Sequence, residues 1–138
     1  MSEKKFKILS QFVKDLSFET KNVETYLYVQ DIISRYHLNI DINSKAVKNK
    51  IIEVNTTLKF QDPQNNELHS VFEITYTSIV KINADDMEKY ELQKILLCEV
   101  QEEIYPNLKE VFLNLVHGCG YKTLTMDKEI NFKEMFEQ

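Results

Sequence analysis

Three histidines, His37, His69 and His117, and two cysteines, Cys98 and Cys119, are the residues that could bind a metal or attack a carbonyl. A metal held on a short frame needs ligands spaced as in HExxH or CxxC, and neither spacing occurs. Any metal site would have to be assembled from distant elements. In "HGCG", His117 stands two residues before Cys119 and the two could act as base and nucleophile. Residues so close at a helix end rarely point at one another, and Gly118 and Gly120 read better as a turn that stops a helix. There is no phosphate loop and no GxGxxG, so ATP-driven work is not expected. The chemistry left is that of carboxylates. In "FVKDLSFETKN", residues 12–22, Asp15, Ser17 and Glu19 share one strand face, and Glu53 and Glu73 point to the same face from other strands. Like charges opposite each other destabilise a sheet. Such a face serves either solubility or a cationic partner.

The elements that position these groups follow from pattern. The chain has 138 residues, 43% of them hydrophobic, enough for one compact domain with a core. No apolar run is long enough for a membrane span, and "MSEKKFKILSQ" lacks the apolar region of a signal peptide, so neither insertion nor export is expected. A cytoplasmic protein with reduced thiols fits. The formal net charge of −5 argues against nucleic acid and suits a basic partner.

Period-two alternation predicts four strands. The first places Phe6, Ile8, Phe12, Leu16 and Phe18 on one face, interrupted by Ser10 and Lys14. "VETYLYVQDIIS" follows as an apolar connection without clean period. Tyr36, Leu38, Ile40 and Ile42 mark the second strand, and "NSKAVKNK" supplies turn residues. Ile52, Val54, Thr56, Leu58 and Phe60 mark the third, and "QDPQNNE" is a hairpin loop. The fourth holds Leu68, Phe72, Ile74, Tyr76 and Val80 inside. From Met87 to about Val116 the spacing becomes helical, with Asn83 or Asp85 as candidate cap. Pro106 makes this either one kinked helix or two pieces. Leu97 and Val116 fall off the main stripe, so a second buried face at a subunit contact is in view. A short "TLTM" leads to a last helical turn or two that carries Phe132 and Phe136. The expected fold is α+β: a four-stranded antiparallel sheet, one face covered by a long helix and a short C-terminal helix, in a single domain over residues 1–138.

"QFVKDLSFETKN" resembles the first strand of SecB-type export chaperones, and "HLNIDIN" looks like their second. "YPNLKEVFLNLVHGCGYKTLTMDKEINFKEMFEQ" is similar to their C-terminal half, with a Pro in aromatic context, a helix, a Gly-containing turn, a short Leu-rich strand and Asn-Phe opening a final helix. The resemblance implies a homotetramer, a dimer of dimers, without cofactor or catalytic residues. Such a protein holds unfolded preproteins and hands them to the motor ATPase SecA. It also implies that Asp15, Glu19, Val71 and Glu73 dock the basic, zinc-bearing C-terminal tail of that motor. Apolar client grooves would draw on Tyr26, Leu27, Tyr28, Ile32 and Ile33, with Phe132 and Phe136.

The chain departs from the family pattern in places. The usual Trp and Pro of the second strand are absent, the Gly pairs of the fourth are replaced by "TYTSIV", and Cys-Pro before the long helix by "QEEIYP". The chain ends at "FKEMFEQ", so contacts through the polar tail of many relatives are not expected. The other function class is a SecB-like chaperone dedicated to one partner, such as an antitoxin, with no motor to dock. An unrelated small enzyme on an α+β sheet is the third reading, and no chemistry motif supports it.

Overall fold

A computed structural model describes residues 5–64 and 70–137. Along the chain come β1 (Phe6–Phe18), α1 (Val23–Ile32), a 3-10 turn (Ile33–Arg35), β2 (His37–Lys48), β3 (Ile51–Gln61) and β4 (Phe72–Ile82). After them come α2 (Lys89–Lys94), a π turn (Ile95–Glu99), α3 (Val100–Gly118) and α4 (Phe132–Glu137). The four strands form one antiparallel sheet in the order β1-β4-β3-β2, so β1 and β2 are its edges and the segment through α1 carries the chain from one edge to the other. This is the expected α+β arrangement. Leu68 and His69 lie outside the described residues.

The alternation of β3 and β4 sorts one face to the core. Val54, Leu58, Phe72, Ile74 and Val80 are wholly buried there. Against them α3 lays Val100, Ile104, Leu108, Phe112 and Val116, each also wholly buried. Five apolar residues at every fourth position form one inclined ridge, the geometry with which a helix packs a surface. Val116 therefore belongs to the stripe that faces the sheet and is not part of a second face. Aromatic rings close the end of the core: Phe18 lies 5.3 Å from Phe72 and 5.7 Å from Phe112, and Tyr36 lies 5.1 Å from Phe60.

Several local expectations are corrected. The connection that lacked a clean period folds as α1, capped by Asn22, whose side chain accepts the Thr25 amide at 2.7 Å. Its periodicity is hidden because only Val29 is fully buried. "NSKAVKNK" is strand almost throughout: β2 runs to Lys48, and Asn49 and Lys50 alone turn the chain, Lys50 in the left-handed region at φ 61. Neither Asn83 nor Asp85 caps the long helix. Asp85 pairs with Lys50, and α2 starts after Glu88 without a side-chain cap. The helix runs through Pro106 without dividing. No strand forms at residues 123–126.

Irregularity enters the helix earlier, at Ile95–Glu99, where the pitch widens into a π turn. Gln101 is wholly buried behind it. Its Nε2 donates to the Leu96 carbonyl at 3.2 Å, and its Oε1 accepts from Thr56 Oγ1 of β3 at 2.8 Å. One side chain thus satisfies a carbonyl of the distorted turn and a hydroxyl of the sheet.

The largest correction concerns β1. Ile8 pairs with Val80 and Ser10 with Ile79, so Leu9 is extra; Val13 pairs with Tyr76 and Asp15 with Thr75, so Lys14 is extra. Each bulge reverses the phase of the strand. Between them Gln11 and Val13 turn toward the helix and Phe12 turns to the opposite, open face, across from Thr77. After the second bulge the original phase returns, and Leu16 and Phe18 face the core side. The positions at which the sequence pattern faltered, Ser10 and Lys14, mark the reversed stretch.

Candidate functional site

Two surfaces are built at the same end of the sheet. The first is the corner where β1 ends and β4 begins. The register sets Asp15 opposite Thr75 and Ser17 opposite Glu73 on the open face, and Glu19 and Val71 stand one residue beyond the Phe18–Phe72 pair. The four residues expected to dock a partner are thus brought together at one corner. Successive same-face residues lie roughly 7 Å apart along a strand. Among the described residues Asp15, Glu19 and Glu73 form no ion pair. Lys59 stands opposite Glu73 on β3 without bonding it.

Glu53 does not belong to this corner. It lies opposite Ile79, near the other end of β4. Lys14 Nζ reaches across β4 to Glu53 Oε2 at 2.8 Å, and Asn55 Nδ2 donates to the same oxygen at 2.8 Å. Those bonds, the Lys14 one first, hold its carboxyl below the usual carboxylate range. A polar ladder surrounds it, with Thr77 Oγ1 donating to Asn55 Oδ1 at 2.6 Å and Asn55 Nδ2 to Asn43 Oδ1 at 3.1 Å. Glu53 on the open face is therefore internally paired, whereas among the described residues Asp15, Glu19 and Glu73 gather three carboxylates without an ion pair at the corner.

The second surface is a groove of about 1010 Å³ along β2. Leu38 and Ile40 of β2, Phe60 of β3 and Tyr105 of α3 line one side; Met126 and Ile130 of the segment between α3 and α4 line the other, with Met135 of α4. His37, Asp127, Lys128 and Glu134 supply polar rim groups. Apolar walls rimmed by mixed charge suit an extended polypeptide better than a small charged substrate. The far wall has no regular structure before α4 and is fastened at points. His117 Nε2 lies 2.8 Å from the Leu124 carbonyl, and Asn131 Oδ1 accepts the Glu134 amide at 3.0 Å to start α4.

None of the seven residues expected to bind clients lines that groove. Ile33 and Phe132 are buried in the core, Phe132 edge-on to Tyr105 at 5.4 Å. Phe136 packs on Tyr90 at 5.4 Å, so the two phenylalanines hold α4, whose Glu134 and Met135 reach the groove. Tyr26 is tied inward, its hydroxyl donating to the Gly120 carbonyl at 3.0 Å, and Ile32 is half-buried against the core. Leu27 and Tyr28, 54% and 48% exposed, are the two that present apolar surface. The residues that do line the groove carried a signal: Leu38 and Ile40 are inward positions of an edge strand, which a helix cannot cover completely.

Burial pushes the Cys98 and Cys119 thiols up, opposite to the shift a nucleophile needs. The His117 ring bonds to the Leu124 carbonyl. Among the described residues no three His, Cys, Asp or Glu side chains group to hold a metal, and no helix is long and apolar enough to cross a membrane.

Comparison with known proteins agrees on one family. A family model described as "Preprotein translocase subunit SecB" matches residues 1–138. A putative protein-export protein SecB of Pelagibacter ubique is 51% identical over 96% of this chain and 95% of its own. The protein-export protein SecB of Mesorhizobium japonicum is 27% identical over 95% of this chain and 77% of its own. Among solved structures, a SecB-like chaperone of Mycobacterium tuberculosis, in complex with a peptide from an antitoxin, superposes with a TM-score of 0.67 at 13% identity over 91% of each chain, a likeness of fold.

Proposed function

Since the chain belongs to the SecB family, a family of chaperones and not of enzymes, we propose that it is an ATP-independent holdase for protein export. It binds unfolded preproteins along the groove beside β2 and delivers them to SecA through the corner formed by Asp15, Glu19, Val71 and Glu73. The observation that carries the reading is the pairing of two surfaces of opposite character: an open apolar groove and a separate corner of unpaired carboxylates. The first suits chains without a sequence code. The second attracts a cationic tail and speeds encounter, an attraction that salt weakens. Leu27 and Tyr28 extend the client surface, whereas Ile33 and Phe132 serve it from within.

Assembly is part of the proposal. The edge strand β1 exposes Leu9, Val13 and Leu16, each at 40% or more. Val13 and Leu16 are on the helix side of the sheet, yet α3 leaves them uncovered. A long apolar edge is a liability unless another chain covers it, which supports a homotetramer built as a dimer of dimers. A cytoplasmic site of action belongs to the same reading, and the match from residue 1 to residue 138 supports one chaperone domain. The alternative, a chaperone dedicated to one antitoxin-like partner without motor docking, is weaker, because a relative 51% identical carries an export name.

The test is titration of the purified protein with the isolated zinc-bearing C-terminal peptide of SecA at low and at moderate salt. Salt-sensitive binding that disappears when Asp15 and Glu73 are neutralised is expected. Absence of binding at both salt concentrations sinks the docking proposal.

A further inference from the structure

Phe12 is the one aromatic side chain of β1 that the fold turns onto the open face, and it remains 45% exposed there. A lone exposed Phe ordinarily means little. Here the backbone has been rearranged to produce it. An unbulged strand would keep Phe12 in phase with Phe6 and Ile8, on the core side. Two bulges, at Leu9 and Lys14, reverse the phase over only four residues and restore it afterwards. Bulges characteristically re-aim a side chain.

What Phe12 is aimed at is defined by its neighbours. It lies across from Thr77, and Asp15 lies across from Thr75, two residues along the same face of β4. The acidic corner therefore begins roughly 7 Å from the ring, with Glu73 roughly 7 Å farther along. Beneath the ring the surface is closed: Thr77 is 1% exposed and its hydroxyl is spent on Asn55. On one side Lys14 is drawn off to Glu53. The ring thus forms an apolar step over a saturated polar floor, continuous with the unpaired carboxylates.

The geometry points to Phe12 as the apolar anchor of the docking corner, and to an occupant that is a cationic peptide segment carrying one apolar or aromatic residue. In an extended segment that residue lies about two positions from the first basic residue and about four from the second. Charge brings the segment to the corner and the ring selects which segments stay and in which register. This inference rests on the docking reading above, and deepens it by adding a requirement that charge alone does not impose.

The experiment uses the full-length protein and two short synthetic peptides of equal positive charge, one with Phe and one with Ser at the stated spacing. The wild-type protein should bind the Phe peptide about tenfold more tightly, the scale expected from burying part of an aromatic ring. Phe12→Ala should erase that preference and leave the salt-dependent binding of the Ser peptide unchanged. Asp15→Asn should weaken both peptides and keep the preference. Phe12→Leu, which keeps apolar bulk, should retain most of it. Equal binding of the two peptides by the wild type overturns the role of Phe12 while the docking corner stands; binding of neither overturns both. A change in oligomer mass on Phe12→Ala, with the preference intact, also overturns it and assigns the ring to a subunit contact.

Discussion

At the scale of single residues, not all acids on the open face are equivalent. Glu73 is unpaired at the corner, whereas Glu53 is held by Lys14 and Asn55. Glu73→Lys should therefore weaken the motor peptide at least tenfold at low salt, with client holding unchanged in an aggregation-suppression assay. Equal loss of both activities would argue against separate sites. Glu53→Gln should change peptide affinity by less than about twofold, since its charge is already met. Lys14→Ala, which unmasks Glu53, should raise affinity if anything. The parity of Asp15, Ser17 and Glu73 was legible in the sequence because each strand keeps its alternation there. The position of Phe12 was not: the alternation breaks at Ser10 and Lys14, but a broken alternation does not say that the strand between the breaks reverses its faces. The groove side chains Met126 and Ile130 were also illegible, coming from a segment without period.

Among elements, the long helix shows how a distorted turn is made tolerable. Gln101 links the Leu96 carbonyl to Thr56. Gln101→Leu leaves both partners buried and unsatisfied and should cost about 1–3 kcal/mol. Combining it with Thr56→Val should cost less than the separate losses together, as a denaturant series on the double-mutant cycle would show. The turn after α3 makes a sharper prediction. Gly120 has φ 104, and a Cβ there would lie 2.7 Å from Tyr26 Cε2. Gly120→Ala should destabilise by about 2 kcal/mol or more, and thermal melting would register it. Tyr26→Ala in the same background should relieve the clash but not the backbone strain. The sequence marked this turn correctly by its two glycines. It did not disclose which of them was indispensable: Gly118 has open space around its Cβ position, and only Gly120 meets a neighbour.

For the molecule as a whole, buried phenols set one limit of stability. Burial pushes Tyr36, Tyr76, Tyr105 and Tyr121 above the ordinary phenol value. A group whose folded pKa is raised contributes stability that is complete below its unfolded pKa and fades as pH rises. Alkaline unfolding should thus set in above about pH 10, with tyrosinate absorbance and loss of structure appearing together. Tyr105→Phe surrenders no hydrogen bond among the described residues and should move the midpoint upward; no movement would remove Tyr105 from the cause. Light scattering addresses assembly. A tetramer is expected, and Leu16→Lys on the exposed edge should split it into smaller species. A monomeric wild type would overturn the assembly proposed from the exposed β1 edge.

The doubly bulged strand also bears on how the chain can change length. Leu9 and Lys14 have no partners on β4, so a chain lacking either would keep every other rung in place. Loss of any residue from 10 to 13 would instead slide part of the strand by one position and exchange its two faces. Over this strand, single-residue deletions should be tolerated at two positions and ruinous between them, a pattern that deletion scanning for folded protein would reveal.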